Sequence, residues 1–181
     1  LLLDVMAHFL LNQPVGPDDA ETSLEKVHLS AVIPELHKFK RRFGVRVTTD
    51  LASTEMCAPL RAGYTEDETP HRFYDLPNHH SCGRVVSDRF EVRRVDENDQ
   101  EVPVGEVGEL TVRARRPWIL MAGYWNQPEA TVKAWRNLWL HTGDALYRDE
   151  AGEHYFVDRL RDVIRHRGEN ISSMEIENVL N

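Results

Sequence analysis

The chain has 181 residues, 41% hydrophobic and 29% charged, a balance that supports a folded core and excludes a mainly disordered polymer. Its formal net charge of −8 argues against a general nucleic-acid binder or a protein held on anionic lipid, so any phosphate site must be a local basic patch. The length predicts one domain or one and a fraction.

Residues 1–14 read as an apolar helix or buried strand ending at Pro14, with no run long enough to span a membrane. Leu1-Leu2-Leu3 lacks the basic flank and cleavage site of a signal peptide. Residues 15–23 carry Gly, Pro, Asp and Thr and predict a loop; residues 24–30 predict a short strand. Residues 34–44 predict a helix: Pro34 sits at its start, Leu36, Phe39 and Phe43 share a face, basic residues crowd the last turn and Gly44 closes it. A β-branched strand follows at 45–49. The order helix, Gly, strand, polar turn suggests an α/β unit with its site at the strand's C-terminal end.

Residues 59–81 are rich in Pro, His, Asp and Thr and predict a long loop. From Arg84 the texture is β. Strands are predicted at 89–95 and 108–114, with a turn at 96–100 and a Gly- and Pro-punctuated corner at 102–108. Residues 127–135 predict a short helix with Pro128 at its start. A turn at 149–152 joins segment 139–147 to a strand at 153–157. Ser172 and Glu175 form a capping box, flanked by Ile171 and Ile176 at the staple positions. A helix therefore starts at Ser173 and meets the chain end at Asn181, which leads us to expect a piece of a longer protein.

Two stretches carry chemistry. His141-Thr142-Gly143-Asp144 puts a carboxylate on a Gly turn, and four arginines follow between Arg159 and Arg167. Carboxylates accept hydrogen bonds from sugar hydroxyls, and guanidinium forks pair with phosphates. Together they suggest a nucleotide site; a solvated turn beside a basic strand is the plain alternative. Thr54-Glu55 could hold a phosphate oxygen and a Mg²⁺ at a strand end, or be a capping Thr and a solvated Glu. His71, His79, His80 and Cys82 match no zinc-ligand spacing and read as a His-rich loop. The two cysteines, Cys57 and Cys82, form no CxxC pair, which fits a reducing, cytoplasmic setting. Trp118, Trp125, Trp135 and Trp139 read as core. No Gly-x-Ser-x-Gly elbow, GxxxxGK[ST] or GxGxxG is present, so neither an acyl-enzyme hydrolase nor a glycine-rich phosphate cradle is expected.

Four segments in order resemble one family. They are Gly105-Glu106-Val107-Gly108-Glu109-Leu110, Gly123-Tyr124-Trp125-Asn126-Gln127-Pro128-Glu129-Ala130-Thr131, Trp139-Leu140-His141-Thr142-Gly143-Asp144, and residues 158–177. They resemble the acyl-adenylate-forming (AMP-binding) superfamily of acyl-CoA synthetases, peptide-synthetase adenylation domains and firefly-type luciferases. The wording is nearest the crotonobetaine/carnitine-CoA ligase-like branch. Residues 33–58 are similar too, from Arg42-Phe43-Gly44-Val45 to Ser53-Thr54-Glu55.

The resemblance implies a mixed α/β fold. Residues 1–83 would be the end of an α/β nucleotide- and acyl-binding subdomain, 84–158 a β-rich distorted-barrel subdomain, and 159–181 a hinge and the start of a small C-terminal α+β domain. It implies ATP-dependent conversion of a small carboxylic acid to an acyl-adenylate, then transfer to CoA, with ATP/AMP, Mg²⁺ and CoA as cofactors. Asp144 would bind the ribose hydroxyls and Arg159 the ribose and phosphate side. Ser53 and Thr54 would face the α-phosphate, and Glu55 would hold Mg²⁺. Arg161 would be the hinge, Arg165 would serve the second half-reaction, and Gly168, Glu169 and Asn170 would line the CoA path. Leu51-Ala52 stands where the family carries Tyr-Gly, the tyrosine that stacks on adenine. The family's phosphate loop and adenylation lysine would fall outside these 181 residues, so the chain alone is expected to be inactive. A degenerate adenylate-binding or interaction module, or an aminoacyl-adenylating domain, is the alternative reading. The sequence is compatible with a homo-oligomer.

Overall fold

A computed structural model describes residues 1–63 and 75–160, together with the backbone of the strands Ile164–His166 and Glu169–Ile171. The elements run β1 (Leu2–Leu3), α1 (Asp4–Leu11), β2 (Lys26–Ser30), α2 (Leu36–Phe43), β3 (Arg46–Ser53), β4 (Cys57–Ala62), β5 (Ser81–Val85), β6 (Phe90–Val95), β7 (Gly108–Ala114), α3 (Pro128–Ala134), β8 (Leu140–Arg148), β9 (His154–Arg159), β10 (Ile164–His166) and β11 (Glu169–Ile171). A nine-stranded mixed sheet has the order β1-β2-β3-β4-β5-β9-β8-β7-β6, and β10 and β11 form a separate antiparallel pair. This is the mixed α/β class expected from the sequence.

The sheet changes character along its width. β1, β2 and β3 are parallel, because α1 and α2 serve as crossovers between them. From β3 onward every neighbour is antiparallel. Two apolar clusters follow the change. One gathers Leu29, Ile33, Leu36, Phe39 and Val47 beneath the helices. The other gathers Met56, Leu60, Phe90, Leu110, Val112, Leu140 and Leu146 on the antiparallel part. β4 contributes to both, through Ala62 to the first and Leu60 to the second. α2 buries Leu36 and Phe39 as its periodicity demands, and Phe43 packs on Phe39 with ring centroids 4.9 Å apart. Its Arg42 reaches back to Asp19 at 2.7 Å and to the carbonyls of Leu11 and Pro14, both at 2.9 Å. That guanidinium ties the α1–β2 connection to α2 and holds the Asp19 carboxyl below its usual range.

Three expectations are corrected. The loop expected at 59–81 begins as strand β4. Its Pro59 argues against a strand in the sequence, but it lies opposite the register shift between Leu51 and Ser53, where the ladder is already interrupted. Strand β3 runs on to Ser53, past the β-branched stretch, because Asp50 and Leu51 pair with Arg61 and Leu60. The four tryptophans are not uniformly core. Trp139 is buried, but Trp118 and Trp125 are 98% and 95% exposed. Both lie in the irregular segment between β7 and α3, where Trp118 and Asn126 take positive φ and no strand or helix directs a side chain inward. The capping box at Ser172 lies outside the described residues. The corner at 102–108 is pinned by the buried Arg94, which donates to the carbonyls of Pro103 at 3.1 Å and Glu106 at 2.9 Å.

One glycine fixes the junction of β4 with β5. Gly83 has φ +91°, and a Cβ there would stand 2.0 Å from the Arg61 carbonyl. Gly83→Ala should therefore cost on the order of 3 kcal/mol or more in urea unfolding. Gly152→Ala, at φ +84° with open space around it, should cost only about 1 kcal/mol. Equal midpoints for the two variants would contradict the packing at β4–β5.

Candidate functional site

Between two registered pairs of the β7–β8 ladder, Glu109 with Ala145 and Thr111 with His141, β7 has one residue and β8 has three. Thr142, Gly143 and Asp144 therefore bulge out opposite Leu110. Gly143 takes φ +73°, which a residue with a Cβ adopts only under strain. The bulge interrupts the ladder, and side chains take up its amides. Gly143 N donates to Glu109 Oε1 at 3.1 Å, and Asp144 N donates to Thr142 Oγ1 at 3.1 Å. The Thr142 hydroxyl in turn donates to the Leu110 carbonyl at 2.9 Å. On the other flank, Leu160 N donates to the Gly143 carbonyl at 2.8 Å.

The bulge turns Asp144 inward, and the ladder places Arg159 of β9 directly across from it. The Asp144 side chain is 2% exposed and that of Arg159 48%. Arg159 Nε stands 2.9 Å from Asp144 Oδ1, yet its N–H is not aimed at that oxygen, which receives no hydrogen bond. The pairing is Coulombic, and a buried carboxylate oxygen keeps an open acceptor position. Arg159 spends one donor on the Thr142 carbonyl at 3.4 Å.

A small polar cleft opens here, lined by Ser53, Glu55, Met56, Tyr124, Leu140, His141, Thr142, Asp144 and Arg159. Glu55 comes from the turn joining β3 to β4. Its carboxylate accepts from the Tyr124 hydroxyl at 3.2 Å, and its backbone carbonyl accepts from Met121 N at 2.8 Å. The turn and segment 121–124 are thus stitched together into one wall.

The environment sends the two carboxylates in opposite directions. Burial pushes Asp144 up to about 6, against the pull of the Arg159 guanidinium and the Thr142 hydroxyl, while Glu109 and Glu55 push it further up. Glu55 is held below its usual range, first by the Ser53 hydroxyl and its own backbone N–H, with smaller contributions from Tyr124 and Arg159. Burial, followed by the Glu55 charge, raises the Tyr124 phenol.

Of the residues expected from the sequence, the cleft brings together Ser53, Glu55, Asp144 and Arg159. Thr54 lies on the same turn but is exposed and does not line the cleft. Arg165 pairs with Asn170, and Glu169 with His166, in the β10–β11 ladder. Arg161 and Gly168 lie outside the described residues. Tyr124 and Glu109 were not singled out from the sequence, although both sit inside segments that carried the resemblance. Among the described residues no three His, Cys, Asp or Glu side chains converge as a metal cage. The neighbouring His79 and His80 rings lie in tilted contact, with centroids 3.9 Å apart. No helix among those residues is long and apolar enough to cross a membrane.

The chain is 34% identical over 181 residues to the crotonobetaine/carnitine–CoA ligase of Citrobacter koseri, an alignment covering 98% of this chain and 33% of that protein. The fold matches the amide bond synthetase McbA of Marinactinospora thermotolerans with a TM-score of 0.77 at 27% identity, over 99% of this chain and 35% of that one. The chain belongs to the AMP-binding, acyl-CoA synthetase-like family. A further member of similar fold is the O-succinylbenzoate–CoA synthetase MenE of Bacillus subtilis, solved with ATP and magnesium. Its TM-score is 0.76 at 26% identity, over 99% of this chain and 35% of that one. No family model matches the chain. The chain spans about a third of the length of these AMP-binding relatives.

The raised Asp144 carboxyl has a consequence for stability. Its value in the folded chain, about 6, lies above its ordinary 3.8, so between these values the folded state holds the proton more firmly than the unfolded chain does. Stability should therefore fall as pH rises from about 4 to about 6, by on the order of 3 kcal/mol from this group. Asp144→Asn should remove that component. Urea unfolding of both proteins across this range checks it, and identical slopes would count against the burial of an ionisable Asp144.

Proposed function

We propose that this chain forms the ribose- and phosphate-facing part of an ATP-dependent acyl-CoA synthetase. The parent reaction is activation of a small carboxylic acid as its acyl-adenylate with release of pyrophosphate, followed by transfer of the acyl group to CoA. The observation that carries the reading is the buried Asp144 carboxylate with an oxygen that no protein donor occupies. A vicinal diol supplies two O–H donors, which is what such a carboxylate lacks. Arg159, half exposed beside it, has further N–H donors to turn toward the ribose or a phosphate oxygen.

Glu55 suits a metal bound to nucleotide phosphates. Its carboxyl is held ionised by Ser53 and Tyr124, and Mg²⁺ is commonly held by one or two carboxylates together with substrate phosphates and water. Once bound, such a cation neutralises charge building up on the phosphates during the displacement. The substrate carboxylate is its own nucleophile, so alignment and charge neutralisation are what the protein must supply. This is consistent with a cleft holding carboxylates and an arginine but no activated serine or cysteine. Arg161 as hinge, Arg165 in the second half-reaction and Gly168, Glu169 and Asn170 along the CoA path complete the proposal, as do Ser53 and Thr54 near the α-phosphate and a cytoplasmic setting.

A second reading, adenylate binding without turnover, has one observation in its favour. Leu51 is packed against the second apolar cluster where the family resemblance calls for an aromatic ring.

Calorimetry with AMP and with a non-hydrolysable acyl-adenylate analogue tests the site. Wild type should bind both, and Asp144→Ala should weaken each by roughly tenfold or more, the worth of hydrogen bonds to a charged group. Equal affinities for the two proteins would refute the ribose assignment. The 181-residue chain by itself should give no acid-dependent ATP–pyrophosphate exchange, and exchange by the purified chain would overturn its assignment as one part of the catalytic unit.

A further inference from the structure

The residue that shapes the ribose side of the cleft does not line it. Glu109 lies on β7, one strand away, with its side chain 14% exposed. Its two carboxylate oxygens are used on two different residues, one in the bulge and one flanking it. Oε1 accepts from Gly143 N at 3.1 Å. Oε2 lies 2.8 Å from His141 Nδ1, and Arg136 Nη2 stands 3.3 Å from the same nitrogen. The histidine is held from its other side as well. Arg136 pairs with Asp99 through a contact of 2.6 Å, and Asp99 Oδ1 stands 3.8 Å from His141 Nε2. His141 is 8% exposed, whereas Arg136 on its outer side is 46% exposed.

Where β7 offers one residue against three of β8, β7 cannot pair with every residue of the bulge. The Gly143 amide is the group most affected, and its residue has the positive φ. Asp144 follows directly, its amide donating to the Thr142 hydroxyl and its residue paired with Arg159 across the β8–β9 ladder. A carboxylate that grips the residues one and three positions earlier therefore fixes the direction in which Asp144 leaves the bulge.

We infer that Glu109 is a positioning residue: by bridging His141 and Gly143 it sets the bulge that aims Asp144 at the ribose hydroxyls of an adenylate. The inference rests on the adenylate reading of the cleft. It concerns reach, not charge, and two conservative variants separate these. Glu109→Gln keeps the length of the side chain and an oxygen for Gly143 N, but loses the charge. Glu109→Asp keeps the charge, but withdraws the oxygens by one methylene.

The test is equilibrium titration of the full chain with AMP and with 2′,3′-dideoxy-AMP, which lacks the hydroxyls Asp144 would bind. The ratio of the two Kd values measures hydroxyl recognition alone. In wild type AMP should bind roughly tenfold or more tighter. Glu109→Gln should keep most of that ratio, and Glu109→Asp should bring it close to unity while leaving binding of the dideoxy nucleotide little changed. Thermal melts of both variants establish that each is folded.

Three results would overturn the inference. One is a Glu109→Asp ratio equal to wild type. Another is loss of the ratio in Glu109→Gln to the same degree as in Glu109→Asp, which would make the effect one of charge. The third is a parallel fall in affinity for both nucleotides, which marks a general structural role. A wild-type ratio near unity would instead remove the adenylate reading itself, and the inference with it.

Discussion

A carboxylate at 2% exposure, facing an arginine that touches it without donating to it, sets the terms for the rest of the cleft. Burial of Asp144 is unfavourable for its charge, and the nearby Glu109 and Glu55 add to the difficulty. The Arg159 guanidinium offsets part of this, but from a half-exposed position where solvent weakens it. The fold thus tolerates a group that is incompletely satisfied in the absence of a ligand. A ligand that brings two hydroxyl donors gains from that deficit, because the desolvation cost has already been met in folding. The same burial makes the residue easier to protonate.

Holding such a group requires that its backbone be fixed independently of its side chain. An ordinary ladder could not do this, because regular pleating would send Asp144 to whichever face the alternation dictated. The three-for-one bulge breaks that alternation, and substitutes from side chains replace the lost ladder contacts: Glu109 for Gly143, Thr142 for Asp144. The other wall is built the same way. The β3–β4 turn is held to segment 121–124 by one backbone bond and by the Tyr124 hydroxyl. Both walls therefore depend on residues distant in sequence, and each is anchored to a strand of the antiparallel half of the sheet.

The sequence made much of this legible. The helix at α2, the strands β6 and β7 and the short helix α3 follow from period, caps and turn residues, because there the local preference and the fold agree. Ser53, Glu55, Asp144 and Arg159 could be named because they stand in segments of recognisable wording. Three things stayed hidden for physical reasons. Strand β4 carries Pro59, and only the register shift opposite it makes a strand possible. Trp118 and Trp125 have the composition of core, but their exposure is decided by an irregular backbone that no periodicity describes. Glu109 and Tyr124 act through contacts 34 and 69 residues away in sequence, which a single sequence does not reveal.

The change from parallel to antiparallel pairing explains why the site lies where it does. In the parallel half, α1 and α2 cover the strands and leave the C-terminal end of β3 free, the usual location for a ligand in such sheets. Past β3 the crossover helices end and antiparallel pairing takes over, with the short α3 laying Ala134 against the second cluster. The β3–β4 turn at that free end therefore meets the bulge of β8 directly, with no helix between them. The Glu55 carboxylate belongs to the first arrangement and that of Asp144 to the second. The cleft exists because one continuous sheet carries both, and the strands that join them, β4, β5 and β9, fix the distance across it. Gly83, pressed against the Arg61 carbonyl, sits in that joining region, so the packing of β4 on β5 also determines how Glu55 and Asp144 face each other.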